Sequence, residues 1–479
     1  MSQRSAGSRT TPLQRRVLVV AILASFIAIL DGSVVNLALP AIARDLGGGL
    51  GAQQWIVDGY LLTLGAFMLL AGSVSDVIGR GRILQIGLWG FGVTSLLCAL
   101  APDPTFLIVM RALQGVCGAM LVPSALALIT SHFDGADQAA AIGTWTGSTG
   151  AATIVAPLIG GLGVDLIGWR IIFLVNLLPV AACLMLLPAL LRADREDQRP
   201  DTRIDLAGGL LTVLGLGGLV FALIEAGRLS ATHPTVLASA VIGVLSLVAL
   251  VVHERRTPAP MIPAALLRVR NVAWGNAATF VIYGALGLSI LVLSLYLQQV
   301  VHLGATQAGM ATLPVTLLMI LFSARVGRLA GRWGPRWFMT VGPLVAAAGH
   351  LLMLRVGPDL DYVSDLLPGV VLFGVGLTIT VSPLTSTILG AVPASVAGVG
   401  SAINNAIARI AGLVTTASAG LILGTGLGTD GLHRVLLTCA ALLAVGGVIS
   451  AVGIRRPDVD AAARRIDGAA PGTAGIMDR

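Results

Sequence analysis

Fourteen stretches of mostly apolar residues run along the chain, separated by short polar segments. They lie at about 17–39, 53–73, 82–101, 105–130, 139–163, 171–191, 207–226, 235–252, 272–299, 309–326, 337–355, 364–388, 397–424 and 432–453. Each approaches the ~20 residues a helix needs to cross the hydrocarbon of a bilayer. The runs are continuous rather than alternating with period two, which argues against a transmembrane barrel. The pattern predicts an all-α integral membrane protein of fourteen spans. The leading MSQRSAGSRTTPLQRR resembles the basic region of a signal peptide. The apolar run behind it is too long for a signal core and ends in no small-residue cleavage site, so it reads as a retained first span.

Composition agrees. The chain has 479 residues, 56% of them hydrophobic and 11% charged, with a mean hydropathy of +0.91. Soluble domains carry about a quarter charged residues, so lipid is the expected solvent. The net charge is +7, and all 30 basic residues are arginine. They fall between apolar blocks and form no basic domain, which gives no support for nucleic acid as a partner. With a cytoplasmic amino terminus, 23 arginines fall in inner segments and 5 in outer ones (Arg44, Arg170, Arg228, Arg355 and Arg434). Arg111 and Arg409 lie within spans. This bias is the positive-inside rule obeyed by an even number of spans, with both termini cytoplasmic. Cys98, Cys117, Cys183 and Cys439 stand alone in apolar stretches and read as small core residues, not metal ligands. The absence of lysine suggests a GC-rich, bacterial genome.

Two inner loops echo each other. GSVSDVIGRGR (Gly72–Arg82) follows the second span and GRLAGRWGPR (Gly327–Arg336) the tenth. In both, a glycine is followed seven positions later by another, with arginines after it. Such recurrence suggests a duplicated helical bundle, the build of many secondary transporters. The expected organisation is a cytoplasmic segment 1–15, an N-terminal six-helix bundle 16–191, and a cytoplasmic linker 192–206. Two inserted helices at 207–252 and a second linker at 253–271 follow. A C-terminal six-helix bundle 272–455 and a disordered cytoplasmic tail 456–479 complete it.

Several motifs together resemble those of the major facilitator superfamily, in its fourteen-span drug/proton antiporter branch. Gly72–Leu84 is similar to the loop pattern G-x-L-A-D-R-x-G-R-K-x-x-L, and RALQGVCGAM (Arg111–Met120) to the fourth-span R-x-x-Q-G. GSTGAATIVAPLIGG (Gly147–Gly161) resembles the fifth-span antiporter motif, and ILDGSVVNLALP (Ile29–Pro40) the first-span motif L-D-x-T-V-V-N-V-A-L-P. WRIIFLVNLLP (Trp169–Pro179) and SAINNAIARIAG (Ser401–Gly412) also have counterparts, so the resemblance covers about 15–455. It implies two six-helix bundles plus two extra helices. It also implies a latch loop at Gly72, Asp76, Gly79, Arg80 and Arg82, and a seal between bundles at Gly147, Gly150, Pro157, Gly160 and Gly161. The chain departs from the pattern at Val77, Gly81, Ala156 and Gly331. It has no carboxylate in its tenth span, and Asn404 and Asn405 stand in the thirteenth. Those absences argue against a bulky dication as substrate.

The aspartate in ILDGSVVNLALP carries the chemistry. A carboxylate at membrane depth costs roughly 2.5–3.5 kcal/mol on insertion scales. By helix rise, Asp31 lies about 12 Å below the outer end of its span, Arg111 about 10 Å and Asp58 about 8 Å. The expectation is a proton-coupling constellation of Asp31, Arg111 and Asp58, with Arg111 keeping the pKa of Asp31 usable. Asp58 is also a candidate for the cavity mouth, with an interfacial residue reaching water as the alternative. Gln114, Trp145, Asn404, Asn405 and Arg409 are candidates for the substrate cavity. Glu225 reads as solvated at the outer interface, and His350 as a satisfied interior histidine.

The leading expectation is a monomeric, proton-driven exporter of amphiphilic drugs or antibiotics in the cytoplasmic membrane, working by alternating access. Protons are the coupling ion, and no cofactor or metal is expected. The alternative on the same fold is a dedicated exporter of one endogenous metabolite or natural product, with Arg409 as partner to a neutral or anionic cargo. No Walker loop supports ATP as driver, and no H-E-x-x-H or G-x-S-x-G motif supports an enzyme.

Overall fold

The computed structural model describes residues 11–133, 137–138, 141–142, 144–145, 148, 152–193, 205–257, 266, 268–392, 397–424 and 426–455. Within them every expected apolar run is helical. The helices are α1 (Pro12–Leu46), α2 (Leu50–Ile78), α3 (Arg80–Ala99), α4 (Pro104–His132), α5 (Ala152–Leu166) and α6 (Leu177–Ala193). After them come α7 (Leu206–Arg228), α8 (Pro234–Arg256), α9 (Arg270–Gln299), α10 (Ala305–Trp333) and α11 (Pro335–Leu352). The last three are α12 (Leu367–Leu389), α13 (Ala397–Ala417) and α14 (Thr429–Gly453). No strand occurs among the described residues. Eleven helical segments are by themselves long and apolar enough to cross a membrane. The tail 456–479 and most of the two linkers lie outside the described residues, as do Gly147 and Gly150.

Helix starts follow capping chemistry. Thr11 caps α1 in a reciprocal box with Gln14, with Pro12 in the first turn. Asp103 caps α4 by accepting from the Phe106 amide at 2.9 Å. The two echoing loops prove to be the same device. Each is a single glycine, Gly79 between α2 and α3 and Gly334 between α10 and α11. Their backbones match closely, at φ 108°, ψ 132° and φ 92°, ψ 144°. Residues with a Cβ avoid that region, so glycine lets one helix turn directly into the next.

Helices α1–α6 pack as one bundle and α9–α14 as another. The inserted pair is asymmetric: α7 lies against α2 and α13, flanking both bundles, whereas α8 packs chiefly on α7. A Cβ at Gly218 of α7 would lie 2.6 Å from the Ser239 carbonyl oxygen, so the two backbones nearly touch. The outer face of α8 is apolar and exposed, with Leu237, Val241, Leu245 and Val248 among its residues, which suits lipid.

Among the described residues the bundles share their apolar core at one end. At the end opposite the termini, one continuous apolar core joins Val34 to Ile42 of α1 with residues of α9, α10 and α14. Toward the termini the cores separate. One holds Val17 to Ala28 with Leu84, Leu128 and Leu187, and another holds Val272 with Val392 and Ile403. The molecule is therefore closed at the far end and parts toward the end carrying the termini.

Candidate functional site

Asp31 and Arg111 meet inside the N-terminal bundle. Asp31 Oδ2 accepts from Arg111 Nη1 at 2.5 Å, and both side chains are buried, at 0% and 1% exposure. Asp31 Oδ1 accepts from Asn176 Nδ2 at 2.8 Å and Gln114 Nε2 at 3.3 Å. Ser95 Oγ takes second hydrogen bonds from both amides, at 3.1 and 3.0 Å, and donates to the Phe173 carbonyl. Arg111 Nε donates to the Ile56 carbonyl at 3.2 Å, and Nη1 also donates to Gln114 Oε1 at 2.7 Å. The guanidinium lies 4.2 Å from the centre of the Tyr60 ring, a cation–π contact.

Local sequence explains the assembly. Arg111 and Gln114 are three apart on α4 and share a face. A Cβ at Gly115 would come within 2.3 Å of the Tyr60 carbonyl oxygen, so glycine there lets α4 lie flush against α2. Asn176 sits where the single helical turn Ile171–Leu174 gives way to α6. The break lets its amide reach α1 and α3 together. A buried ion pair repays its desolvation only when the remaining lone pairs and protons are satisfied, and here they nearly all are.

Two expectations change. Asp58 does not join this cluster and does not reach water at a cavity mouth. It is fully buried, and its Oδ1 accepts from Thr416 Oγ1 of α13 at 2.5 Å, across the contact between bundles. Gln54, one turn away, donates to the Thr416 and Ala417 carbonyls at 2.8 and 3.1 Å. Glu225 is not solvated either: it is 7% exposed, paired with Arg228 at 2.7 Å and hydrogen-bonded by Trp55 Nε1 at 3.5 Å. Gln114 was a cavity candidate and belongs instead to the Asp31 network.

The remaining candidates are dispersed. Trp145 donates to Ser25 Oγ at 2.9 Å, pinning its ring to α1. Asn404 donates to Asn276 and Thr279 of α9 at 3.0 and 2.7 Å. Asn405 is exposed, and Arg409 is half-buried on α13. In the latch loop, Arg80 donates to the Ala127 carbonyl at 3.1 Å and Arg82 is exposed. Gly72 and Asp76 lie within α2 and Pro157 within α5. Gly160 and Gly161 mark close approaches: a Cβ would fall 2.1 Å from Val34 Cγ2 of α1 and 2.6 Å from Thr306 Cα of α10, respectively. His350 is buried, between Ser289 Oγ at 2.9 Å and the Ala346 carbonyl at 3.1 Å.

Comparison with known proteins agrees with this architecture. The profile of the Major Facilitator Superfamily matches residues 21–416. The chain is 37% identical to a puromycin resistance protein of Streptomyces alboniger, over 84% of this chain and 80% of that one. It is 30% identical to a tetracenomycin C resistance and export protein of Streptomyces glaucescens, over 83% and 74%. It is 34% identical to a multidrug efflux pump of Mycolicibacterium smegmatis, over 82% and 77%. Among solved structures, a peptide transporter in complex with sulfate superposes with a TM-score of 0.69 at 14% identity, covering 94% of this chain and 95% of that one. The inward-open xylose transporter of E. coli gives 0.63 at 12%, covering 92% and 96%. With two packed six-helix bundles, an inserted helix pair and these relatives, the chain belongs to the Major Facilitator Superfamily and is a multi-pass membrane transporter, not an enzyme.

Proposed function

We infer that this protein is a proton-coupled antiporter that exports amphiphilic drugs or antibiotics across a bacterial cytoplasmic membrane by alternating access, with both termini in the cytoplasm. The observation that carries the reading is Asp31, a membrane-depth carboxylate in a cage of arginine and amide donors. Protonation of Asp31 removes the charge that Arg111 neutralises and weakens the hydrogen bonds that Asn176 and Gln114 donate to it. The cage then loses its reason to hold that geometry. Asp31 lies one turn from Val34 and Asn36, which form part of the contact between bundles. The Asn36 carbonyl accepts from Ser294 of α9 at 3.3 Å, and Val34 belongs to the apolar core that joins the bundles at that end. A change at the carboxylate thus has a short rigid path to the closed end. The relatives' resistance and export roles supply the cargo class.

The test is Asp31→Asn in proteoliposomes carrying an imposed pH gradient. The variant keeps the fold and binds drug, but drug-driven proton release is lost. Undiminished release from Asp31→Asn would leave the ion pair as a packing element only and end the proposal.

A further inference from the structure

At mid-membrane depth Arg409 stands apart. It makes no hydrogen bond or ion pair among the described residues. Its backbone faces α2, with its Cβ 3.9 Å from the place a Cβ would occupy at Gly65. One turn before Arg409, Asn405 is exposed and uses only its amide nitrogen, toward Ser401. One turn after it, a Cβ at Gly412 would meet nothing within 4 Å. Residues 405, 409 and 412 therefore line a face of α13 turned to open space where the bundles part.

Of the buried acids, Asp31 is paired with Arg111 and Glu225 with Arg228. Asp58 accepts from Thr416 through Oδ1, and no ion pair joins it to Arg409 among the described residues. An arginine held without a partner inside a membrane domain is costly and marks a site that a ligand completes. Its planar fork of donors matches a carboxylate. A cationic cargo would instead be repelled in a low-dielectric space. We propose that Arg409 binds the acidic group, a carboxylate or acidic phenol, of an anionic amphiphilic cargo. This rests on the export reading for the word cargo, but its test does not need coupling.

Full-length protein in lipid nanodiscs is titrated with fluorescein, an anion, and rhodamine 123, a cation on the same ring frame, and binding is read by fluorescence polarisation. Wild-type protein is expected to bind fluorescein at least about tenfold more tightly, the scale of one charge-assisted hydrogen bond. Arg409→Gln should weaken fluorescein by about the same factor and leave rhodamine 123 nearly unchanged. Arg409→Lys should recover part of the loss. A wild-type preference for rhodamine 123, or fluorescein affinity unmoved by Arg409→Gln, overturns the proposal. Should Arg409→Gln fail to fold, the wild-type preference between the two dyes decides alone. A protein that binds as stated yet releases no protons would sink the antiport reading and leave this one standing.

Discussion

At the level of single residues, Asp31 and Arg111 could be paired on paper because helix rise fixes depth and charges are rare in apolar runs. Asp58 shows what rise alone leaves open. Successive residues turn by about 100°, so Asp58 and Tyr60 point to opposite sides of α2. Tyr60 faces the Arg111 guanidinium, and Asp58 faces Thr416. Asn176 was visible only inside a motif, because a neutral amide gives no warning of what it will touch. Its position makes a sharp prediction. Asn176→Ala removes a donor from Asp31 and a partner from Ser95, and should cost about 1–3 kcal/mol of stability, seen as a lower melting temperature. Arg111→Leu should be harsher, about 3–5 kcal/mol, because it strands a buried carboxylate. Restoring much of that loss by adding Asp31→Asn would show that the stranded charge was the cause; no recovery would refute the pairing as the source.

Among the elements, the glycines decide how helices meet. The recurrence at Gly79 and Gly334 was readable as a spacing, and it becomes a pair of one-residue turns with positive φ. Alanine at either site must adopt a strained backbone, and each variant should lose about 1–3 kcal/mol. Equal melting of wild type and Gly334→Ala would contradict that geometry. Gly160 and Gly161 set different contacts. Gly160→Val would drive a branched side chain into Val34 and destabilise the protein by about 1–3 kcal/mol or more. Gly161→Ala would instead meet the Thr306 backbone across the bundles. It should leave melting little changed while raising the labelling rate of a cysteine introduced beside that contact.

For the whole molecule, the far-end closure includes a charge device outside the apolar spans. The Asp165 carboxylate, at the end of α5, accepts from the Ala305 and Thr306 amides at 3.0 and 2.8 Å, capping α10 of the other bundle. Burial pushes its carboxyl up, but the hydrogen bonds from Thr306 and Ala305 outweigh this and hold it below the ordinary 3.8. A depressed carboxyl pKa stabilises the contact above the ordinary value, and the benefit fades as pH falls through the lowered one. Closure at this end should therefore hold at neutral pH and weaken only in strong acid. The site is exposed, so Asp165→Asn should cost no more than about 1 kcal/mol of closure. Cysteine labelling along α10 at pH 7 and pH 3 reads both effects, and an insensitive labelling rate would exclude the cap.

The apolar periodicity and the arginine distribution were enough to define an all-helical, many-span membrane protein, because lipid leaves a spanning chain few other choices; the echo of two loops suggested its paired bundles. Depth along each helix followed from rise. Rotation about each helix axis, and which bundle faces touch, did not follow, since they depend on side-chain packing between segments more than a hundred residues apart. That packing put Asn176 beside Asp31, turned Asp58 into a link between bundles, and left Arg409 half-buried on α13 without a counter-ion among the described residues.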